Sequence, residues 1–184
     1  MVQLLESEVK TREVAQWEGV HLFHFPGSSC SQKTRIFLNL KGIVWTPHLV
    51  DLHKNANYDP WYLGINPRGL VPTLVIDGQV HIESNDIILL LESRFPEPRL
   101  IPPGMEDQMA ELLRHEDELH HDLRDLTFRF TIPREKSPHS AEELQKYRET
   151  GSATVGGKSD AGKQREIEYY EALENGGISD DIVR

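Results

Sequence analysis

A single cysteine, Cys30, stands in 184 residues, so no disulfide can form within the chain and a reducing compartment is indicated. No apolar run comes near the roughly 20 residues that a membrane-spanning helix needs, which argues against a membrane partner. The first nineteen residues, MVQLLESEVKTREVAQWEG, hold four acids and no apolar core, so they do not read as a signal peptide. Cations are also scarce: 20 Lys and Arg against 30 Asp and Glu leave a formal charge of −10. Binding a phosphate backbone requires clustered cations, so nucleic acid is not the expected partner. These deficits point to a cytoplasmic location. What is present, 38% hydrophobic and 27% charged residues, suits one large domain or two small ones with a real core.

The chain is organised around NPRGLVPTLVIDGQVHIES, residues 66–84. Two β-prone runs, 73–76 and 79–82, flank Asp77–Gly78. That dipeptide accepts the positive φ angles of a type I′ turn and predicts a tight hairpin. Pro72 has no N–H to give a ladder and belongs at the strand's entrance. After the hairpin, Ile87, Leu90, Leu91 and Phe95 recur at helical steps. Ser84 is the expected N-cap and Pro96 the stop. Free amides at such a helix start, beside a hydroxyl, can dock an anion.

Ahead of this stretch, residues 1–19 read as a loose extension in preference to a short helix packed outside the first strand. Residues 20–25 form a first strand. Pro26–Gly27 turns into Ser28-Ser29-Cys30-Ser31, and Ile36, Phe37 and Leu40 mark a helix that Gly42 ends. Residues 44–52 form a second strand, parallel to the first because a helix separates them. Residues 53–65 look irregular or short helical. The order β-α-β, irregular segment, β-β-α over residues 20–95 predicts an α/β domain of thioredoxin-like topology. A proline-rich linker, 96–104, leads to an all-α domain over 105–184. Its first helix carries a seam of Met109, Leu112, Glu116, Leu119, Leu123, Leu126 and Phe130, ended by Pro133. Residues 140–149 and 163–174 are weaker helix candidates joined by GSATVGGKSDAG.

The Ser-containing turn and the LVPTL…ES run, about fifty residues apart and in that order, resemble the cytosolic glutathione transferases. SSCS followed by KTRIFLNLKGI is most similar to the zeta class. INPRG…VPTL…DG…ES looks equally like bacterial and fungal members, including glutathione-dependent ether-cleaving enzymes. The resemblance implies glutathione as co-substrate, lying across the sheet edge. The backbone of Val71, beside a cis Pro72, would pair with its cysteinyl part as an added strand. Glu83 and Ser84 would hold the γ-glutamyl end, and His53 or Lys54 would fall near the glycyl end. Ser28 would occupy the catalytic hydroxyl position, donating to the glutathione sulfur and favouring thiolate over thiol. The resemblance also implies a homodimer, a small-molecule electrophile as second substrate and a role in detoxification. Isomerisation or ether cleavage on the same scaffold, or a non-catalytic binding role, are the rival expectations. Gln32-Lys33 stands where the zeta pattern has Trp-Arg, and Glu83 where it usually has Gln.

Plainer readings accompany the sharp ones. Ser28 also suits a helix cap. Cys30 reads as a packed or half-buried thiol, because thiol-transfer relatives place their cysteine at the Ser28 position. Glu116 reads as a solvated or dimer-edge acid. HEDELH spaces His115 and His120 by five, where HExxH zinc chemistry needs four, so no metal is expected. GSATVGGKS lacks the glycine a phosphate loop needs at Ser152 and reads as a flexible loop. Residues 178–182 resemble a helix beginning. With the apolar seam needing cover, they suggest further C-terminal helices or a second subunit.

Overall fold

The computed structural model describes residues 2–131 and 139–176. Pro133 and the helix start expected at 178–182 lie outside the described residues. Two compact units emerge: residues 1–100 with 149–163, and residues 101–148 with 164–184.

The first unit is built on a five-stranded sheet of order β1-β5-β4-β2-β3: β1 Val2–Gln3, β2 Val20–His24, β3 Thr46–Leu49, β4 Thr73–Ile76 and β5 Gln79–Ile82. β2 and β3 are parallel, as a helical crossover requires. β4 runs antiparallel to both β2 and β5. Asp77 and Gly78 turn between β4 and β5 at φ of 46° and 79°, the two positive values of a type I′ turn. Strand alternation buries both faces. Leu22, Leu74 and Ile76 pack with Leu38 of helix α1 (Ser29–Leu40) and with Ile87 and Leu91 of helix α3 (Ser84–Arg94). On the opposite face Phe23, Val75, Val80 and Ile82 pack with Leu4, Val9, Val14, Ile65 and Tyr62 of the short helix α2 (Pro60–Leu63).

The structure refines the expected elements. Residues 2–19 are no loose extension: β1 adds an edge strand to β5, and Leu4 and Val14 are 3% and 0% exposed. Their apolar spacing fits neither helix nor strand, because Val14 sits on a short 3₁₀ turn, Arg12–Gln16, while Leu4 and Val9 lie in irregular backbone. The second strand shrinks to β3, with Val44 91% exposed and a 3₁₀ turn at Leu52–Lys54. Helix α1 buries Ser31, Thr34 and Leu38, while Ile36 and Leu40 face solvent. Helix α3 begins at Ser84, with Glu83 rather than Ser84 in the cap position.

The segment read as a flexible loop is a second hairpin, β6 Thr154–Val155 with β7 Lys158–Ser159, and belongs to the first unit. Gly156 and Gly157, at φ of 60° and 77°, make its turn. The Glu8 carboxylate accepts their backbone N–H groups at 2.9 and 3.0 Å, and that of Leu5 at 2.7 Å. Val155 enters the same core as Leu4 and Val9.

The second unit is helical: α4 Glu106–Thr131, α5 Ala141–Glu149 up to Arg148, and α6 Ala161–Gly176 from Gln164. Ser140 and Glu143 form a reciprocal capping box at the start of α5. The expected seam on α4 is largely uncovered, with Leu119 50% and Phe130 72% exposed. Glu116 is half-buried. Arg124 of α4 forks onto Glu166 of α6 at 2.8 and 2.7 Å and lies over the Tyr169 ring. Among the described residues no helix is long and apolar enough to cross a membrane, and no group of three acidic, His or Cys residues could hold a metal.

Candidate active site

The site follows from strand direction. β2, β3 and β5 run one way and β4 the other, so the exits of the first three and the entrance of β4 share one end of the sheet. Phe23, Thr73, Ile82 and His48 stand in register at that end. Ser28 follows Phe23 through a turn, Val71–Pro72 precedes Thr73, Glu83–Ser84 follows Ile82, and His53–Lys54 follows β3. The structure thus brings all seven candidate residues to one end of one sheet.

Ser28 caps α1, its Oγ accepting the Ser31 N–H at 3.2 Å. Capping uses an oxygen lone pair and leaves the hydroxyl proton available to a further acceptor, so the cap and donor roles are compatible. The first amides of α1 point to the same end, adding the positive pole of the helix. Lys33 of α1 donates to Asn85 of α3 at 2.6 Å, tying the two helix starts together.

The Val71–Pro72 bond is cis and Pro72 is buried. Val71 lies just outside the ladder, and its backbone has no partner among the described residues. That is the geometry an added strand needs. Below it, buried Tyr62 and Asn66 hold the bend. The Tyr62 hydroxyl donates to the Leu70 carbonyl at 2.6 Å, and Asn66 Nδ2 donates to the same carbonyl at 2.9 Å and to Thr73 Oγ1 at 2.8 Å.

Glu83 has φ of 69°, a region that side chains other than glycine seldom occupy. Its carbonyl accepts the Ile87 N–H at 2.9 Å and so starts α3, while its carboxylate stays partly exposed. Ser84, buried, opens the helix. His53 and Lys54 are exposed. The His53 ring meets the Phe25 edge at 5.0 Å between centroids, and Lys54 is 3.4 Å from Asp51.

Two charged residues that the sequence reading left without a role join this end. The Arg68 guanidinium pairs with Glu83 Oε1 through Nη1, and with Asp160 through Nε at 3.0 Å and Nη2 at 2.6 Å. Burial would lower the Arg68 pKa, but Asp160 and Glu83 outweigh it and hold the guanidinium charged. Burial would likewise raise that of Asp160, yet Arg68 and the Gly162 N–H keep it below its ordinary value. Arg68 sits within the NPRG run, but its partner Asp160 lies 92 residues on, beyond the reach of any local pattern.

Residues 22–99 match the family model described as Glutathione S-transferase, N-terminal domain. The likeness is confined to that N-terminal stretch. Among the relatives, the zeta-class glutathione S-transferase of Euphorbia esula is 41% identical over 81 residues, covering 44% of this chain and 36% of that protein. The maleylacetoacetate isomerase of Pseudomonas aeruginosa is 39% identical over 83 residues, 44% of this chain and 39% of that protein. The crystal structure of the beta-etherase LigF from Sphingobium sp. strain SYK-6 superposes with a TM-score of 0.70 at 25% identity, covering 90% of this chain and 66% of that one. The matched region thus spans about two fifths of the length of these curated relatives. The fold is a thioredoxin-like domain followed by a helical one, as in glutathione transferases.

Proposed function

We propose that this chain is a glutathione transferase-type enzyme that activates the glutathione thiol for attack on an electrophilic small molecule. The observation that carries the proposal is the convergence of Ser28, Val71–Pro72 and Glu83–Ser84 on one end of one sheet, within a domain of this family. Glutathione would pair its cysteinyl backbone with Val71. Its γ-glutamyl end would lie at Glu83, Ser84 and the start of α3, with its glycyl end toward His53 and Lys54. The Ser28 hydroxyl would donate to the sulfur and stabilise the thiolate, aided by the α1 amides. The serine is a donor in this scheme and never a nucleophile. A cytoplasmic homodimer with no metal is part of the same reading.

Retention on immobilised glutathione, with turnover across a panel of electrophiles, tests the proposal. Retention without turnover would favour a binding protein. Ser28→Ala is expected to lower kcat by the equivalent of about 2.7–4 kcal/mol while the glutathione Kd moves little. Unchanged turnover would move the role to Ser29 or to backbone amides. A second reading keeps the site and changes the reaction to isomerisation or ether cleavage. It is favoured by the likeness to an isomerase and to a beta-etherase. Maleylacetoacetate and an aryl ether in the panel separate the two.

A further inference from the structure

We infer that Arg68 and Asp160 are positioning residues that fix one oxygen of Glu83 and turn the other toward the α-ammonium group of the bound γ-glutamyl end. The inference rests on the glutathione site proposed above and adds the residues that set its charge geometry. Glu83 Oε1 is engaged by Arg68 Nη1, while Oε2 has no partner among the described residues. Its side chain is 43% exposed, against 16% for Arg68 and 5% for Asp160. An acid left to itself on a strained backbone would rotate, and a mobile guanidinium would fork onto both of its oxygens. Here Asp160 occupies the fork, with Nε 3.0 Å from Oδ2 and Nη2 2.6 Å from Oδ1. Only Nη1 therefore reaches Glu83. The three charges sum to −1, and the partly exposed Glu83 oxygen is where a cation would be received.

Asp160 is itself held in place. The Gly162 N–H donates to its Oδ1 at 3.0 Å, and its own N–H donates to the Ala153 carbonyl at 3.2 Å. The adjoining β6–β7 turn is fixed by Glu8. Gly162 also leaves room for the guanidinium, since a Cβ there would stand 2.6 Å from Arg68 Nε. The strap from the second half of the chain thus reaches the candidate site through Arg68.

The test is calorimetric titration of wild type, Arg68→Gln, Asp160→Asn and Gly162→Ala with glutathione and with its analogue lacking the α-amino group. Thermal melting of each variant runs alongside. Wild type is expected to prefer glutathione over the analogue. Each variant is expected to weaken glutathione about tenfold and to bind the analogue as wild type does. KM for glutathione should rise with kcat nearly unchanged, because the sulfur is held at Ser28. Gly162→Ala removes no charge and keeps the test alive should either charge variant fail to fold. Equal loss of both ligands, or an unchanged glutathione Kd in a folded variant, would overturn the inference. Failure of wild type to bind either ligand would instead sink the glutathione site, and the inference with it.

Discussion

The two units are held together by different chemistry. In the first, the sheet is covered on both faces by aliphatic side chains, and Leu22, Leu74, Leu38 and Leu91 are fully buried. In the second, α4 and α6 meet through Arg124, its two bonds to Glu166 and the rings of Phe128, Tyr169 and Tyr170. The leucines of α4 lie largely outside that contact. Apolar burial is non-directional and is shared over many residues, so a sheet domain built that way depends on no one specific partner. A buried ion pair concentrates its contribution in one place and depends on both partners. The sheet unit also carries the candidate site, whose residues need fixed positions.

The sharpest way to break this contrast is Arg124→Ala. It leaves the nearly buried Glu166 without its fork partner and removes the cation from above the Tyr169 ring. A cost of about 3–5 kcal/mol is expected, confined to the helical unit. Hydrogen exchange should show α4 and α6 losing protection while β2, β4 and β5 keep theirs. Uniform loss over both units would mean that they unfold as one.

Acid probes the sheet unit from its own side. His81 lies 2% exposed on β5, with neither ring nitrogen bonded to a described residue. Burial, with some help from the Arg94 charge, pushes its pKa down to about 4. Above about pH 6.5 the imidazole is neutral in both folded and unfolded chains and costs nothing. As pH falls toward 4, the unfolded chain takes up a proton that the native state refuses, so stability drops by about 3 kcal/mol. His24 and His48, also lowered chiefly by burial, push in the same direction. Urea titrations between pH 7 and 4 should show the loss, and His81→Leu should flatten it. An equally steep loss in His81→Leu would assign it elsewhere.

How far the sequence foretold these units depends on the range of the forces involved. The Asp77–Gly78 turn, the cap at Ser28 and the α4 periodicity are set within a few residues and were legible. Ser28, Val71, Glu83 and Ser84 were joined through the resemblance, and parallel β2 and β3 with a β4–β5 hairpin leave them one end of the sheet to occupy. The docking of residues 2–19 was not legible. Leu4, Val9 and Val14 stand five apart, a spacing of neither helix nor strand, and their burial depends on a sheet face formed by distant strands. The β6–β7 hairpin escaped for the same reason, since its two-residue strands carry no alternation and Glu8 holds it from 148 residues away. Arg68 and Asp160 belong to that long-range class.

Glu8→Gln sharpens the comparison at smaller scale. Burial works to raise the Glu8 pKa, but hydrogen bonds from the Thr154 hydroxyl and from the Leu5, Gly157 and Gly156 amides hold it below the carboxylate norm. Its contribution is therefore present above about pH 4.5 and is lost as pH falls through the lowered value. A neutral amide accepts those bonds less strongly and turns an NH₂ toward some of the donors. About 2 kcal/mol should be lost, concentrated in the hairpin. Faster exchange of the Gly156 and Gly157 amides, with the sheet centre unchanged, is the expected record.

The smallest effect should come from the apolar seam of α4, read against the sheet core. Leu74→Ala in the sheet removes a fully buried side chain and is expected to cost about 2–5 kcal/mol, the transfer loss plus the cavity left behind. Leu119→Ala removes an identical side chain that is half exposed and leaves no enclosed void. Its cost should stay within about 0.5 kcal/mol, because alanine also has the higher helix propensity. Denaturant titrations at a few protein concentrations make the comparison. If Leu119→Ala is neutral at every concentration, the stripe is solvent-facing in solution. A cost that grows with protein concentration would show that the wild-type seam is covered by another copy of the chain, and the contrast between an aliphatic unit and a polar one would then hold only for the single chain.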